Sequence, residues 1–159
     1  MHGQLAYLHV VSALVALLAG LFVVFWRKGK ALHRLIGIVY VFAMLQTNVS
    51  ALMIYHLTGH FGLFHVFAIL SLFYTLAGLA MPLLRVRNWL DAHVQWMKWS
   101  YLSLLAASLN EMAIRLPLHV NTPPRIFAVG TILGALVLVA GLALRPKLKS
   151  AVLKTGVLS

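Results

Sequence analysis

Five long apolar segments joined by short linkers constrain this chain more than any other feature of its sequence. They cover about residues 5–26, 32–57, 62–84, 89–115 and 124–144. A helix needs roughly 20 apolar residues to cross the hydrocarbon core of a bilayer, and each segment is long enough. Short linkers make successive helices antiparallel neighbours. The sequence therefore predicts an all-α, polytopic membrane protein of about five transmembrane helices in an antiparallel bundle, with residues 1–159 forming a single membrane domain.

The composition supports a lipid environment. Of the 159 residues, 62% are hydrophobic and only 9% are charged, whereas a soluble domain has about 25% charged residues. A sphere of this size could not bury so much apolar surface. The net charge of +11 would suggest a nucleic-acid partner in a soluble protein. Here the charges lie at helix ends, so we predict a bilayer partner and no nucleic acid.

The basic residues predict the orientation in the membrane. Ten of the 13 Lys and Arg residues lie in 27–34, 85–87 and 145–154. Five helices place these three segments on the same side of the bilayer. Because basic residues concentrate in cytoplasmic linkers, we expect the N-terminus outside and the C-terminus in the cytoplasm.

Small and polar residues within the helices predict close packing. The small residues are Ser12, Ala16, Ala19 and Gly20 on helix 1, and Gly130 and Gly134 on helix 5. Such residues allow helix backbones to approach one another. The pair on helix 5 also offers a surface for homo-oligomer formation. Midway along helix 2, Gln46, Thr47 and Asn48 are expected to seek interhelical hydrogen bonds.

Eight histidines and no cysteine limit the chemistry of any cofactor. Thiolate metal sites and iron–sulfur clusters are excluded. His33 and His93 begin helices 2 and 4 at their cytoplasmic ends, whereas His9, His56 and His65 lie near the outer ends. The histidines therefore form two layers, too far apart to share one metal ion.

Paired imidazoles from facing helices are what a haem b iron requires. We predict His33 and His93 as an inner ligand pair, and His65 with His9 or His56 as an outer pair. At the inner level Arg34 and Arg85 can pair with haem propionates. Electron transfer within or across the bilayer is the function that this arrangement favours.

Two other interpretations remain open at this stage. Imidazole also suits zinc or copper, so the alternative is a divalent-metal site formed by His33, His93 and His65, with Asp91 available beside His33 and His93. The third interpretation is a structural or assembly subunit whose histidines are interfacial polar groups. The sequence contains no Ser/His/Asp array and no HExxH motif, which argues against a hydrolase. Any enzymatic role would be that of a quinone-linked oxidoreductase.

Three stretches, 32–52, 64–72 and 90–117, carry a resemblance to known proteins. They resemble a family of bacterial membrane proteins of unknown function with three motifs. Here the motifs are Leu32-His33-Arg34-x-x-Gly37, Phe64-His65 and His93-x-x-Trp96-Met97. The resemblance implies a location in the bacterial inner (cytoplasmic) membrane.

The arrangement is more distantly similar to the dihaem cytochrome b561-like membrane electron carriers. That similarity implies His33 and His93 as inner axial ligands, His65 as one outer ligand, and a quinone or another redox partner. Helix 5 offers no histidine opposite His65. His9 would then replace it, or the chain would hold a single haem.

Overall fold

The structure is a computed structural model that describes residues 2–25, 31–54, 63–85 and 87–115. These residues form four α-helices: α1 (His2–Phe25), α2 (Ala31–Met53), α3 (Leu63–Leu84) and α4 (Trp89–Arg115). The predicted fifth helix, 124–144, lies outside the described residues. The chain divides into two compact units, residues 1–104 and 105–159. The packing described below belongs to the first unit.

The helix ends agree with the predicted segments within a few residues, except at the end of α2. This helix stops at Met53, four residues before the predicted end. The Ile54 N–H donates to the Ala51 carbonyl at 3.3 Å, which is the tighter i−3 bond that often closes the last turn of a helix.

A tight turn joins α3 to α4. Arg85 follows α3 with a φ of 48°, and Asn88 precedes α4 with a φ of 59°. The Arg85 N–H donates to the Met81 carbonyl at 3.0 Å, as in a left-handed helix cap. Asn tolerates this conformation, whereas Arg pays a steric penalty. The turn reverses the chain and places α4 beside α3.

Three of the helices are long and apolar enough to cross a bilayer, over Gly3–Val24, Ala31–Met53 and Phe64–Leu84. The fourth helix has 27 residues, which is about 40 Å at 1.5 Å per residue. Its length is sufficient, but it carries four charged residues: Asp91, Lys98, Glu111 and Arg115.

The small residues on α1, predicted to allow close packing, are buried, and this face contacts α2. Ser12, Ala16, Ala19 and Gly20 are all buried. The Thr47 hydroxyl donates to the Ser12 hydroxyl at 3.0 Å and to the Ala43 carbonyl at 2.8 Å. Thr47 therefore supplies the interhelical hydrogen bond expected midway along α2.

Gly20 also lets α4 approach α1. A Cβ at Gly20 would collide with the ring of Tyr101 and lie 3.0 Å from the Tyr40 ring. The Tyr101 hydroxyl donates to the Leu17 carbonyl at 3.2 Å. The two tyrosine rings pack edge to face with centroids 6.3 Å apart. This contact holds α1, α2 and α4 together.

The bundle is apolar outside and contains many hydroxyl groups inside. Leu18, Phe42 and Leu83 are 69%, 68% and 73% exposed. By contrast Ser50, Thr75 and Ser100 are fully buried. A soluble domain has the opposite distribution, whereas a surface of this kind suits contact with lipid chains.

Candidate functional site

A chain of buried hydroxyl groups fixes the relative heights of three helices. The Tyr40 hydroxyl of α2 lies 2.8 Å from Ser100 Oγ of α4, and Ser100 Oγ lies 2.8 Å from Thr75 Oγ1 of α3. Thr75 donates its proton to the Ser71 carbonyl at 2.8 Å, so Ser100 must donate to Thr75 and Tyr40 to Ser100. The chain of donors ends on a carbonyl, which satisfies every hydroxyl along it.

His33 and His93 each lie seven residues before a member of the hydroxyl chain. His33 precedes Tyr40 by seven residues, and His93 precedes Ser100 by seven. Seven residues are about two helical turns, or about 10 Å along each axis, and they return to nearly the same face. Tyr40 and Ser100 are hydrogen-bonded, so His33 and His93 each lie about two helical turns before the same contact between α2 and α4.

The surroundings of the two inner histidines differ. His33 is half-buried with its Nδ1 atom fully covered. His93 is also half-buried, and its Nδ1 lies 2.7 Å from the Gly78 carbonyl oxygen of α3. A carbonyl can only accept, so Nδ1 of His93 carries the proton. In the neutral ring Nε2 then carries the lone pair that binds a metal.

His9 of α1 has the same type of hydrogen bond toward the opposite end of α2. Its Nδ1 lies 3.1 Å from the Thr47 carbonyl and 3.0 Å from Ser50 Oγ. Ser50 uses its own proton on the Gln46 carbonyl at 2.7 Å. His9 therefore donates from Nδ1, and α2 fixes its ring in the same tautomer as His93.

His65 lies at the depth of His9. It precedes Thr75 by ten residues, and Ser50 follows Tyr40 by ten. Both lie about 15 Å outward from the hydroxyl chain. His65 is 3% exposed, so this ring lies inside the bundle. The inner and outer histidine levels are about 25 Å apart along the helices.

The predicted arginines lie at the ends of their helices. Arg34 follows His33 directly, and Arg85 follows the last residue of α3; both are exposed. Within the four described helices and their caps, no group of three or more His, Asp or Glu side chains is close enough together to hold a metal ion.

Two features of the site were not found from the sequence. The first is the hydroxyl chain, whose only signal is the repeated spacing of seven from His33 to Tyr40 and from His93 to Ser100. The second is the hydrogen bond between His93 and the Gly78 carbonyl. The position of α3 beside α4 determines which backbone group His93 contacts. The presence of Pro82 four residues after Gly78 is the signal that could have indicated it.

Comparisons with known proteins identify the family. No curated protein and no solved structure matches this chain. The sequence pattern of a family described as "Predicted membrane protein (DUF2306)" matches residues 6–146, which include all four described helices almost completely. This chain therefore belongs to the DUF2306 family of membrane proteins.

Proposed function

We propose that this protein binds haem b between α2 and α4 through His33 and His93 and transfers electrons within the membrane. The observation that carries the proposal is the Tyr40–Ser100 hydrogen bond of 2.8 Å between α2 and α4. His33 precedes Tyr40, and His93 precedes Ser100, by the same two helical turns. Haem b, when bound, supplies one-electron oxidation and reduction at its iron.

The chain's own residues have the chemistry that such a group needs. His93 is held by the Gly78 carbonyl at 2.7 Å, which is the second-shell hydrogen bond that orients most metal-binding histidines. Tyr40, two turns along α2 from His33, is 2% exposed and its hydroxyl is already hydrogen-bonded to Ser100. Arg34 and Arg85 lie at the same end of the bundle and offer guanidinium groups for propionates.

The outer histidines extend the proposal to a second site. His9 and His65 share a level, and His9 is oriented by a backbone carbonyl as His93 is. The two levels lie about 25 Å apart, most of the roughly 30 Å hydrocarbon thickness. Electrons could therefore pass between the two surfaces of the bilayer, to or from a quinone or another redox partner. This two-layer arrangement is similar to that of the cytochrome b561-like carriers.

The membrane topology forms part of the proposal. Five spans, with α4 as the fourth, place the N-terminus outside and the C-terminus in the cytoplasm of a bacterial inner membrane. The support is the concentration of Lys and Arg in alternate linkers. Reporter fusions after residues 29, 59, 87, 120 and 155 should alternate between cytoplasmic and external signals, starting with the cytoplasm. Two neighbouring fusions on the same side would refute the five-span topology.

The absorption spectrum of the purified protein tests the haem proposal directly. Reduction should produce the alpha band of a bis-histidine haem b, and His33→Ala or His93→Ala should abolish the band of the inner site. His119→Ala is the matched control, because the sequence places this histidine in a linker; its spectrum should remain that of the unmodified protein.

Elemental analysis of the same sample separates the alternatives. Iron in proportion to haem supports the proposal. Zinc or copper bound through His33, His93 or His65, without a haem spectrum, would refute the haem assignment in favour of a divalent-metal site. Colourless, metal-free protein of full stability would refute both and favour a structural or assembly subunit.

A further inference from the structure

Proline removes the usual i+4 N–H donor from one backbone carbonyl inside α3. Pro82 lies inside this helix, and proline has no N–H to donate to the residue four positions earlier. That residue is Gly78. Within a bilayer an unsatisfied carbonyl is costly, because no water replaces the missing donor.

His93 supplies the missing hydrogen bond. Its Nδ1 lies 2.7 Å from the Gly78 oxygen, a short distance for an N–H···O bond. The absence of a side chain at Gly78 makes this approach possible. A Cβ there would lie 2.5 Å from Met97 Sδ and 3.2 Å from the Met97 backbone nitrogen. The helices α3 and α4 are thus in near backbone contact one turn after His93.

We propose that Gly78 and Pro82 are positioning residues that hold His93 in the Nδ1–H tautomer and reserve its Nε2 as the ligand atom. Pro82 frees the carbonyl, and Gly78 admits the helix that carries the imidazole. The tautomer follows from these contacts alone; the role of Nε2 as an iron ligand rests on the haem function proposed above.

Gly78 and Pro82 fix the orientation of the His93 ring as well as the position of its proton. The two ring nitrogens lie on opposite sides of the imidazole, so a ring whose Nδ1 is bound to α3 turns Nε2 away from α3. Hydrogen bonding of Nδ1 to a carbonyl also raises the basicity of the ligand nitrogen. His93 would therefore enter the site with both its orientation and its donor strength already determined.

The tautomer can be measured in protein that contains no haem. Ring-¹⁵N-labelled histidine, in protein reconstituted in lipid nanodiscs, distinguishes Nδ1–H from Nε2–H by nitrogen chemical shift, with His93→Gln to assign the signal. We expect pure Nδ1–H in the unmodified protein. Pro82→Ala restores an N–H that competes for the Gly78 oxygen, so the His93 signal should become a mixture of tautomers.

A neighbouring substitution provides the control. Leu83→Ala shortens an exposed side chain one residue further on and removes no proline, so the tautomer should stay unchanged. Pro82→Ala adds a helical hydrogen bond, and folded protein is expected. An Nε2–H ring in the unmodified protein, or a pure Nδ1–H ring in Pro82→Ala, would overturn the proposal.

Haem titration then tests the consequence for binding. Loss of an outer-shell partner commonly weakens metal binding by about 10- to 100-fold, so Pro82→Ala should lower haem affinity by about tenfold and shift the midpoint potential, whereas Leu83→Ala should do neither. Unchanged affinity and potential would overturn the role in ligation. Unmodified protein that has the Nδ1–H tautomer but binds no haem would refute the proposed function and leave the tautomer inference supported.

Discussion

The hydrogen bond between Tyr40 and Ser100 is the contact on which the relative depth of α2 and α4 depends, and it can be tested by a double-mutant cycle. Tyr40→Phe removes only the hydroxyl and preserves the ring that packs on Tyr101. Ser100→Ala removes the group that accepts from Tyr40 and donates to Thr75. The double variant completes the cycle.

The structure sets the size of the expected effect. Interhelical hydrogen bonds in membrane proteins average about 0.6 kcal/mol and reach about 1.7 kcal/mol. Tyr40 is 2% exposed and Ser100 is fully buried, so neither group can find water as a substitute. The hydroxyls also donate in series, which strengthens each bond. We therefore expect a coupling free energy of about 1 to 1.5 kcal/mol, near the upper end of that range.

Reversible unfolding by SDS in mixed micelles or by steric trapping in bicelles gives the required free energies. Tyr7→Phe is the matched control, because Tyr7 is 70% exposed and loses the same hydroxyl; its effect should stay within about 0.5 kcal/mol. A coupling free energy indistinguishable from zero, or equal effects at positions 40 and 7, would refute the reasoning. Tyr40 and Ser100 would then not fix the relative depth of α2 and α4.

Three further predictions concern packing and lipid exposure. In the same unfolding assay, Gly78→Ala should destabilise the protein by about 1–3 kcal/mol through overpacking against Met97. Gly37→Ala is the control: nothing lies within 4 Å of the added Cβ, so its stability should be unchanged or higher. Gly20→Ala should cost a similar amount, because its Cβ collides with the Tyr101 ring; equal stability of Gly20→Ala and Gly37→Ala would contradict the close approach of α1 and α4. Phe42→Arg, at an apolar position that is 68% exposed, should disfavour insertion of α2 by about 3 kcal/mol in a translocon assay. Unimpaired insertion of Phe42→Arg would show that this face does not meet lipid.

The helical segments were predictable because their signal is local. Length and continuity of apolar residues placed α1, α3 and α4 within a few residues of their observed ends. The premature end of α2 at Met53 was not predictable, since the apolar run continues to Leu57 and hydropathy does not mark where helical hydrogen bonding ends. The fifth helix and its Gly130-xxx-Gly134 motif lie outside the described residues and stay predictions.

The packing of α1 on α2 was also predictable in part. The row of small residues from Ser12 to Gly20 indicated a close contact, which the burial of that face confirms. Which residue would supply the interhelical hydrogen bond was open among three neighbours on α2. Thr47 supplies one to Ser12, whereas the buried Nδ2 of Asn48 makes no hydrogen bond in the part of the chain that the structure describes.

By itself, the sequence determined that this chain is a helical membrane protein, because the hydropathy of a segment depends only on neighbouring residues. The two layers of histidines stay a prediction. The tertiary structure decided which faces of the helices meet. The rotation and height of one helix against another depend on contacts between distant residues, such as Tyr40 with Ser100 and His93 with Gly78. A local signal such as Pro82 does not determine which distant side chain meets the freed carbonyl. The ring nitrogen through which His93 donates to the Gly78 carbonyl was therefore decided only by the packing of α3 on α4.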